Sequence, residues 1–438
     1  MTEVTEVRER ALAAKAVARK LAALTAEPKD RALQAIAEEL LRCQDAILAA
    51  NAADVAEAEA LVAEGRMARS LLDRLRLSPE KLAAMAEGVR AVAALPDPSG
   101  RVLERTLLDD GLELRRVTRP LGLLGVIFES RPDAVTQISA LAIKSGNAVL
   151  LKGGREAARS TGALVEAIHT ALDTVPEIPR QAVATLAGRA EVDELLSLEG
   201  VVDLVIPRGG NDLVRYVQEH TRIPVLGHAE GVCHVYVDAA ADPEMAIAIV
   251  LDAKLTYPAA CNAVETVLVH SAAAPDVLRP LLGRLLESGV EVRGCPETLA
   301  LCPGFTLTAA TEEDWRTEYG APILSVKLVD SLGEAIAHIN GFGSSHTDAI
   351  VTGDPAAARR FLDEVDSAGV YHNASTRFAD GFRYGLGAEV GISTSKLHAR
   401  GPVGLDGLVT YRWELHGSGQ VTAAYGPGGR PFKHQKLT

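Results

Sequence analysis

Two doubly wound α/β domains in series, with a β-hairpin arm that belongs to neither sheet, are the architecture this sequence predicts. Three observations lead there. From Leu121 onward, short apolar strand-like runs alternate with helical segments, the pattern of a parallel sheet wrapped by crossover helices. The alternation resumes after Cys261. Between an all-helical beginning and the first alternating block, two strand-like runs flank Asp109-Asp110-Gly111, and Asp-Gly between alternating residues is a strong hairpin signal.

The elements follow in order. The first hundred residues are rich in Ala, Glu and Arg, and Leu33, Ile36, Ala37, Leu40 and Leu41 recur at helical spacing. Ser78-Pro79-Glu80 supplies an N-cap with proline at the first helical position. The hairpin spans Val102 to Val117. Strands are expected at Leu123 to Phe128, Ala148 to Leu151, Ala182 to Leu186, Val202 to Ile206 and Pro224 to Gly227. A helical run, Asp242 to Ala253, leads through Cys261 to a strand at Glu265 to His270. Further strands are expected at Leu324 to Val329, Ala349 to Thr352 and Val370 to His372. A strand-like run, Leu408 to Leu415, precedes a Gly-rich basic tail that reads as loose. The hairpin and this last run have few partners in a doubly wound sheet, and unpaired edges are usually covered, so pairing with another subunit is expected.

Composition narrows the class. The 438 residues, 47% hydrophobic and 24% charged, suit a globular protein of two or three domains. A formal net charge of -13 argues against nucleic acid or an anionic membrane as partner, though a local cation cluster can still hold an anion. No apolar run is long enough to span a bilayer, and the charged N-terminus lacks the apolar stretch of a signal peptide. Cysteines 43, 233, 261, 295 and 302 are scattered and odd in number, without the spacing of a zinc site or a disulfide framework. A cytoplasmic setting is expected, and the eleven histidines show no metal-ligand spacing.

Chemistry centres on Cys261. It lies on a proline-marked crossing, Tyr257-Pro258-Ala259-Ala260-Cys261-Asn262, where small neighbours leave a thiol reachable, whereas a core cysteine is fenced by large apolar side chains. A thiolate attacks carbonyl carbon well; the plain alternative is a small buried hydrophobe. Two strand-to-helix turns, Lys152-Gly153-Gly154-Arg155 and Arg208-Gly209-Gly210, could cradle a diphosphate, because glycine lets the backbone approach and a helix N-terminus favours an anion. Either could equally be a turn that merely closes a βα unit. Two in one sheet, each with a basic residue, favour a dinucleotide.

Longer motifs carry a resemblance over nearly the whole chain. They are Gly125-Val126-Ile127-Phe128-Glu129-Ser130-Arg131-Pro132-Asp133, Lys144-Ser145-Gly146-Asn147 through Gly154, Tyr257 through Asn262, Ser345-His346-Thr347-Asp348, and Arg400-Gly401-Pro402-Val403-Gly404-Leu405. With them the chain resembles the aldehyde dehydrogenase superfamily, in its acyl-phosphate-reducing branch. The resemblance implies NADPH-dependent reduction of γ-glutamyl phosphate to glutamate 5-semialdehyde in proline biosynthesis. It implies an NADP-binding domain (1–101 and 119–229), a catalytic domain (230–406) and an oligomerisation arm (102–118 and 407–425). It further implies a homodimer or homotetramer and transient contact with glutamate 5-kinase. Cys261 falls where the superfamily keeps its nucleophile, Lys152 where a lysine holds the adenosine ribose, and Glu318 where a glutamate contacts the nicotinamide ribose. Asn373 sits where the substrate-pocket loop returns, and Ser375, Thr376 and Arg377 are expected to hold the substrate's α-amino and α-carboxylate groups.

Departures from the hydrolytic members sharpen the expectation. Those enzymes place a glutamate base before two glycines; here the stretch reads Leu226-Gly227-His228-Ala229-Glu230-Gly231, with Glu230 displaced. Where they use an asparagine for the oxyanion, this chain has Ser130-Arg131-Pro132, and Arg131 is expected to hold the leaving phosphate or else to make a salt bridge. Arg155 stands where NAD-preferring relatives carry a glutamate, which favours the 2′-phosphate of NADP. The alternatives are a CoA-acylating aldehyde dehydrogenase and a non-catalytic binding or structural relative.

Overall fold

The computed structural model describes every residue except Met1, Ala187, Arg189, Ala229 and Thr438. The described residues form two compact units. The first holds those up to Leu226, Leu386–Gly391 and those from Val403 on; the second holds Gly227–Gly385 and Ile392–Pro402.

The first unit opens with helices Thr2–Leu21, Ala26–Arg42, Gln44–Ala63, Arg69–Leu75 and Pro79–Ala94. Ser78 caps the last of them, its hydroxyl accepting the Lys81 N–H at 3.2 Å. Leu33, Ile36, Ala37 and Leu40 are buried as their spacing predicts, whereas Leu41 lies at the margin of the stripe and is 38% exposed. Strands Val183–Leu186, Ala148–Lys152, Leu123–Phe128 and Leu204–Arg208 make a parallel sheet in that spatial order. Leu123–Phe128 and Ala148–Lys152 are buried along their whole length. Cover on both faces explains why they read as continuous apolar runs rather than alternating ones. The strand expected at Pro224 to Gly227 is reduced to one bridge, between Val205 and Val225.

The arm strands, expected to have few partners in a doubly wound sheet, pair with one another in a sheet of their own. Val409–His416, Leu112–Pro120, Val102–Asp109 and Gln435–Leu437 form one antiparallel sheet in that order. The tail read as loose therefore ends in a strand, with Lys436 opposite Thr106 and ion-paired to Glu104.

The second unit is a seven-stranded parallel sheet. Its order is Thr308–Ala309, Glu291–Gly294, Ile323–Val329, Val264–His270, Cys233–Val237, Thr347–Val351 and Gly369–His372. Three of these strands escaped the sequence pattern: Cys233–Val237, Glu291–Gly294 and Thr308–Ala309. The first carries a polar His234 at its second position, which is buried against Asp348 of the neighbouring strand at 2.9 Å. Helix Pro243–Leu255, capped by Asp242 on the Met245 N–H, carries the chain back to the amino edge of the sheet. Cys261 lies in the turn that re-enters it.

Candidate active site

Parallel strands joined by crossover helices put every αβ loop on one edge. In the second unit this amino edge gathers Glu318, Cys261, Gly231 and His346, ahead of the four adjacent strands Ile323–Val329, Val264–His270, Cys233–Val237 and Thr347–Val351. Cys261 is partly exposed, while Cys233, Cys295 and Cys302 are buried. Gly231 packs so closely on the Cys261 backbone that a Cβ there would run into the Cys261 carbonyl. The Gly231 N–H donates to Glu318 Oε2 at 2.9 Å, so the glutamate braces the strand entry beside the thiol. Cys233 Sγ lies 3.3 Å from the Cys261 carbonyl, and burial keeps the Cys233 thiol well above its ordinary pKa and protonated.

The Glu318 loop is pinned from below. Lys254 and Glu265 form an ion pair at 2.5 Å, both side chains 0% exposed. Burial pushes the Glu265 carboxyl up and the Lys254 ammonium down, each opposed by the charge of the other. Glu265 also accepts the Gly320 N–H at 3.4 Å, and Lys254 Nζ lies 5.9 Å from the Tyr319 ring centre.

The loop after Gly369–His372 closes on the same turn. Thr376 donates its hydroxyl to the Asn262 carbonyl at 2.7 Å, and Asn262 Nδ2 donates to the Ala379 carbonyl at 2.9 Å. Ser375 accepts the Arg377 N–H at 3.3 Å. Burial and neighbouring Arg383 push the Arg377 guanidinium down, while Cys261 and Asp252 favour its charge, which places this cation in the field of the thiol. Its Nε is buried without a hydrogen-bond partner among the described residues. Asn373 stands apart from this group. At φ +54°, both ends of its amide are taken by the Thr352 backbone, at 2.9 and 3.0 Å.

In the first unit the predicted residues lie at the opposite, carboxyl edge of the sheet. Lys152 ends its strand buried, its ammonium 2.5 Å from the Gly153 carbonyl. Desolvation lowers its pKa, Glu156, Glu191 and Glu129 oppose that, and Arg155 adds to the lowering. Arg155 is exposed at the start of a 3₁₀ turn leading into helix Ala158–Leu172. At the second turn the Gly210 N–H donates to the Glu129 carboxylate at 3.4 Å, and a Cβ on Gly209 would meet that carboxylate and Leu213. An amide that already receives a carboxylate at the N-terminus of helix Asn211–His220 is suited to an anionic ligand, so the turn fits a dinucleotide phosphate. Arg208 bonds Gln137 and the Glu389 carbonyl, both at 3.2 Å. Ser130, at φ +48°, gives its N–H and hydroxyl to Glu156. Arg131 makes a salt bridge to Asp133 at 3.2 Å with its side chain 41% exposed. Lys144 is buried between Asp30 and the Ala93 carbonyl, at 2.5 and 2.6 Å.

Sequence reasoning missed Gly231, His228, His346, Lys254 and Glu265. The two histidines lie far from Cys261 in sequence, in loops before other strands, so residue spacing carries no sign of them. Gly231 showed only as part of a motif; the need for glycine there is a matter of backbone approach.

A partly exposed thiol at the edge of one parallel sheet, and glycine turns at the edge of another, occur here in an α/β fold of the aldehyde dehydrogenase type. The sequence profile of the aldehyde dehydrogenase family matches residues 2–292 and 305–393, and the chain belongs to that family. Among curated relatives, the γ-glutamyl phosphate reductase of Synechococcus sp. (strain JA-3-3Ab) is 59% identical over 423 residues, 96% of this chain and 92% of the relative. That of Haloquadratum walsbyi is 52% identical over 435 residues, 98% of this chain and 95% of the relative. The crystal structure of γ-glutamyl phosphate reductase from Thermotoga maritima superposes with a TM-score of 0.91 at 40% identity, covering 96% of this chain and 99% of that one. Within the family, the chain falls in the γ-glutamyl phosphate reductase branch. An acetylating aldehyde dehydrogenase from Geobacillus thermoglucosidasius, at 16% identity and a TM-score of 0.66 over 96% of this chain and 98% of that one, shares the fold. Among the described residues no helix is long and apolar enough to cross a membrane.

Proposed function

We propose that this chain reduces L-glutamate 5-phosphate to L-glutamate 5-semialdehyde with NADPH, releasing inorganic phosphate, as the second step of proline biosynthesis from glutamate. The observation that carries the proposal is a partly exposed Cys261, packed against Gly231 and within electrostatic reach of Arg377, in a chain whose near-full-length relatives are γ-glutamyl phosphate reductases. The Cys261 thiolate attacks the acyl carbon, the C–O bond to phosphate breaks, and phosphate leaves a thioester on the sulfur. Backbone amides of the Cys261 turn steady the oxyanion, and Arg377 holds an anionic group of the substrate. Lys152, Gly153, Gly154, Arg155, Gly209 and Gly210 hold the cofactor, with Arg155 reading the 2′-phosphate and Glu318 the nicotinamide ribose. NADPH, when bound, supplies the hydride that takes the thioester to the aldehyde, and aldehyde release returns the thiolate.

The test is NADP reduction by glutamate 5-semialdehyde, with and without inorganic phosphate, and with NAD in place of NADP. Phosphate-dependent turnover that prefers NADP is expected. Turnover that needs coenzyme A instead of phosphate would make the chain a CoA-acylating enzyme and overturn the proposal.

A further inference from the structure

Cys261 shares the amino edge of its sheet with two imidazoles that the reaction above does not use. One ring nitrogen of His228, one of His346 and Cys261 Sγ all lie within 4.8 Å of one another. The two rings cross edge to face, with centres 4.8 Å apart and planes at 74°. His228 Nδ1 lies 3.0 Å from the Ile392 carbonyl, which can only accept, so the proton sits on Nδ1 and the lone pair on Nε2. His346 Nδ1 lies 2.9 Å from the Thr347 hydroxyl and 3.7 Å from Cys233 Sγ. Its Nε2 is buried and has no hydrogen-bond partner among the described residues, although the residue itself is 0% exposed. A buried ring nitrogen is almost always satisfied, so one left without a partner beside a thiol points to something that binds there.

A thiolate with two imidazole nitrogens is the ligand set of a borderline-soft divalent cation, and a backbone carbonyl or hydroxyl on the far nitrogen is the usual orienting contact of a ligating histidine. A tetrahedral ion would hold the three atoms roughly 3.5 Å apart, so adjustment by about an ångström closes the site. We propose that His228, Cys261 and His346 bind one Zn²⁺-class ion. The S–H bond breaks, its proton goes to solvent, one metal–sulfur and two metal–nitrogen bonds form, and water fills the fourth position. Bound there, the ion occupies the thiol and stops the reaction reversibly; this last clause alone rests on Cys261 being the nucleophile.

The test uses the full chain, freed of metal by chelation and titrated with Co²⁺ alone. One equivalent should bind and give a thiolate-to-cobalt charge-transfer band in the near ultraviolet, which Zn²⁺ displaces. Cys261→Ser should abolish the band. His228→Gln, at the partly exposed ligand, and His346→Gln should each weaken Co²⁺ binding by roughly tenfold or more, as loss of one of three ligands requires. A thermal melt shows whether the buried His346→Gln variant is folded, and His228→Gln decides the matter if it is not. Absence of the charge-transfer band, or wild-type Co²⁺ affinity in His228→Gln, overturns the site. Zn²⁺ should also inhibit turnover, with reversal by chelator. Binding without inhibition would leave the metal site standing and remove Cys261 from the proposed mechanism.

Discussion

Cys261 owes its reactivity in this reading to what surrounds it: Ala259 and Ala260 before it, Gly231 against its backbone, and a cationic Arg377 within its field. The thiol is left partly exposed, whereas Val264, at the start of the strand that follows, is fully buried. Cys261→Ser should therefore abolish turnover while NADPH binding, measured by fluorescence, stays within about twofold, because a hydroxyl is a far weaker nucleophile than a thiolate. Cys43→Ser should leave the rate near wild type. Wild-type activity in Cys261→Ser would remove the residue from the mechanism. The anion-binding cation can be assigned in the same way. Arg131 is taken up by Asp133 and half open to water, where an ion pair is worth little, whereas Arg377 is desolvated near the thiol. Arg377→Met should weaken phosphate or semialdehyde by roughly tenfold, the worth of a charge-assisted hydrogen bond, with Arg131→Met nearly silent. The reverse ranking in saturation curves would return the phosphate to Arg131.

At the scale of elements, the site is a property of αβ loops along one sheet edge. Strand entries at Gly231, Cys261 and His346 come together because strands Val264–His270, Cys233–Val237 and Thr347–Val351 are neighbours. The approach of Gly231 to Cys261 is the tightest constraint there. Gly231→Ala puts a methyl into backbone that has no room to yield, and should cost roughly 2 kcal/mol or more of stability and at least tenfold in turnover. Gly283→Ala is the matched control: in helix Ala274–Glu287 its methyl meets only Phe305, at 3.9 Å, and should be neutral or stabilising by up to ~1 kcal/mol. Equal melting temperatures for Gly231→Ala and wild type would show that the edge tolerates the methyl.

For the molecule as a whole, acid should unfold it in part through His338. Burial, helped by His234, Lys327 and Arg316, holds this imidazole neutral, with its pKa lowered from 6.5 to about 3. The unfolded chain takes up the proton below about pH 6.5 and the folded chain does not, so stability from this group is full above that pH. It then falls by about 1.4 kcal/mol per pH unit towards pH 3. His338→Phe, among Trp315, Phe342 and His234, should flatten the fall in urea midpoint between pH 7.5 and 5; an unchanged slope would place the acid sensitivity elsewhere. Assembly is the other molecular-scale question. The arm sheet pairs within its own chain, yet its edge strand Val409–His416 keeps Tyr411, Trp413 and Leu415 at 50%, 50% and 57% exposure. A long edge with an apolar face of this kind is usually covered. A homodimer or larger even assembly is expected in sedimentation at micromolar concentration, and a monomer would rule it out.

Hydrophobic periodicity was enough to reveal the alternating α/β blocks, because strands buried on both faces, such as Leu123–Phe128, must be apolar throughout. The Asp-Gly hairpin and the Ser78 cap were equally legible, since each is satisfied within a few residues of itself. What local sequence could not carry was anything settled across strands. Cys233–Val237 went unseen because His234 is made tolerable only by Asp348 on the next strand. The Gln435–Leu437 strand exists through its pairing with residues 105–107. Cys261 stood out from its own neighbours, and the resemblance pointed to Glu318 and Arg377, but Gly231, His228 and His346 beside it did not show. Those residues meet only when the parallel order of the sheet brings separate loops to one edge, and that order is decided by packing and hydrogen bonding over the whole unit rather than by any short run of residues.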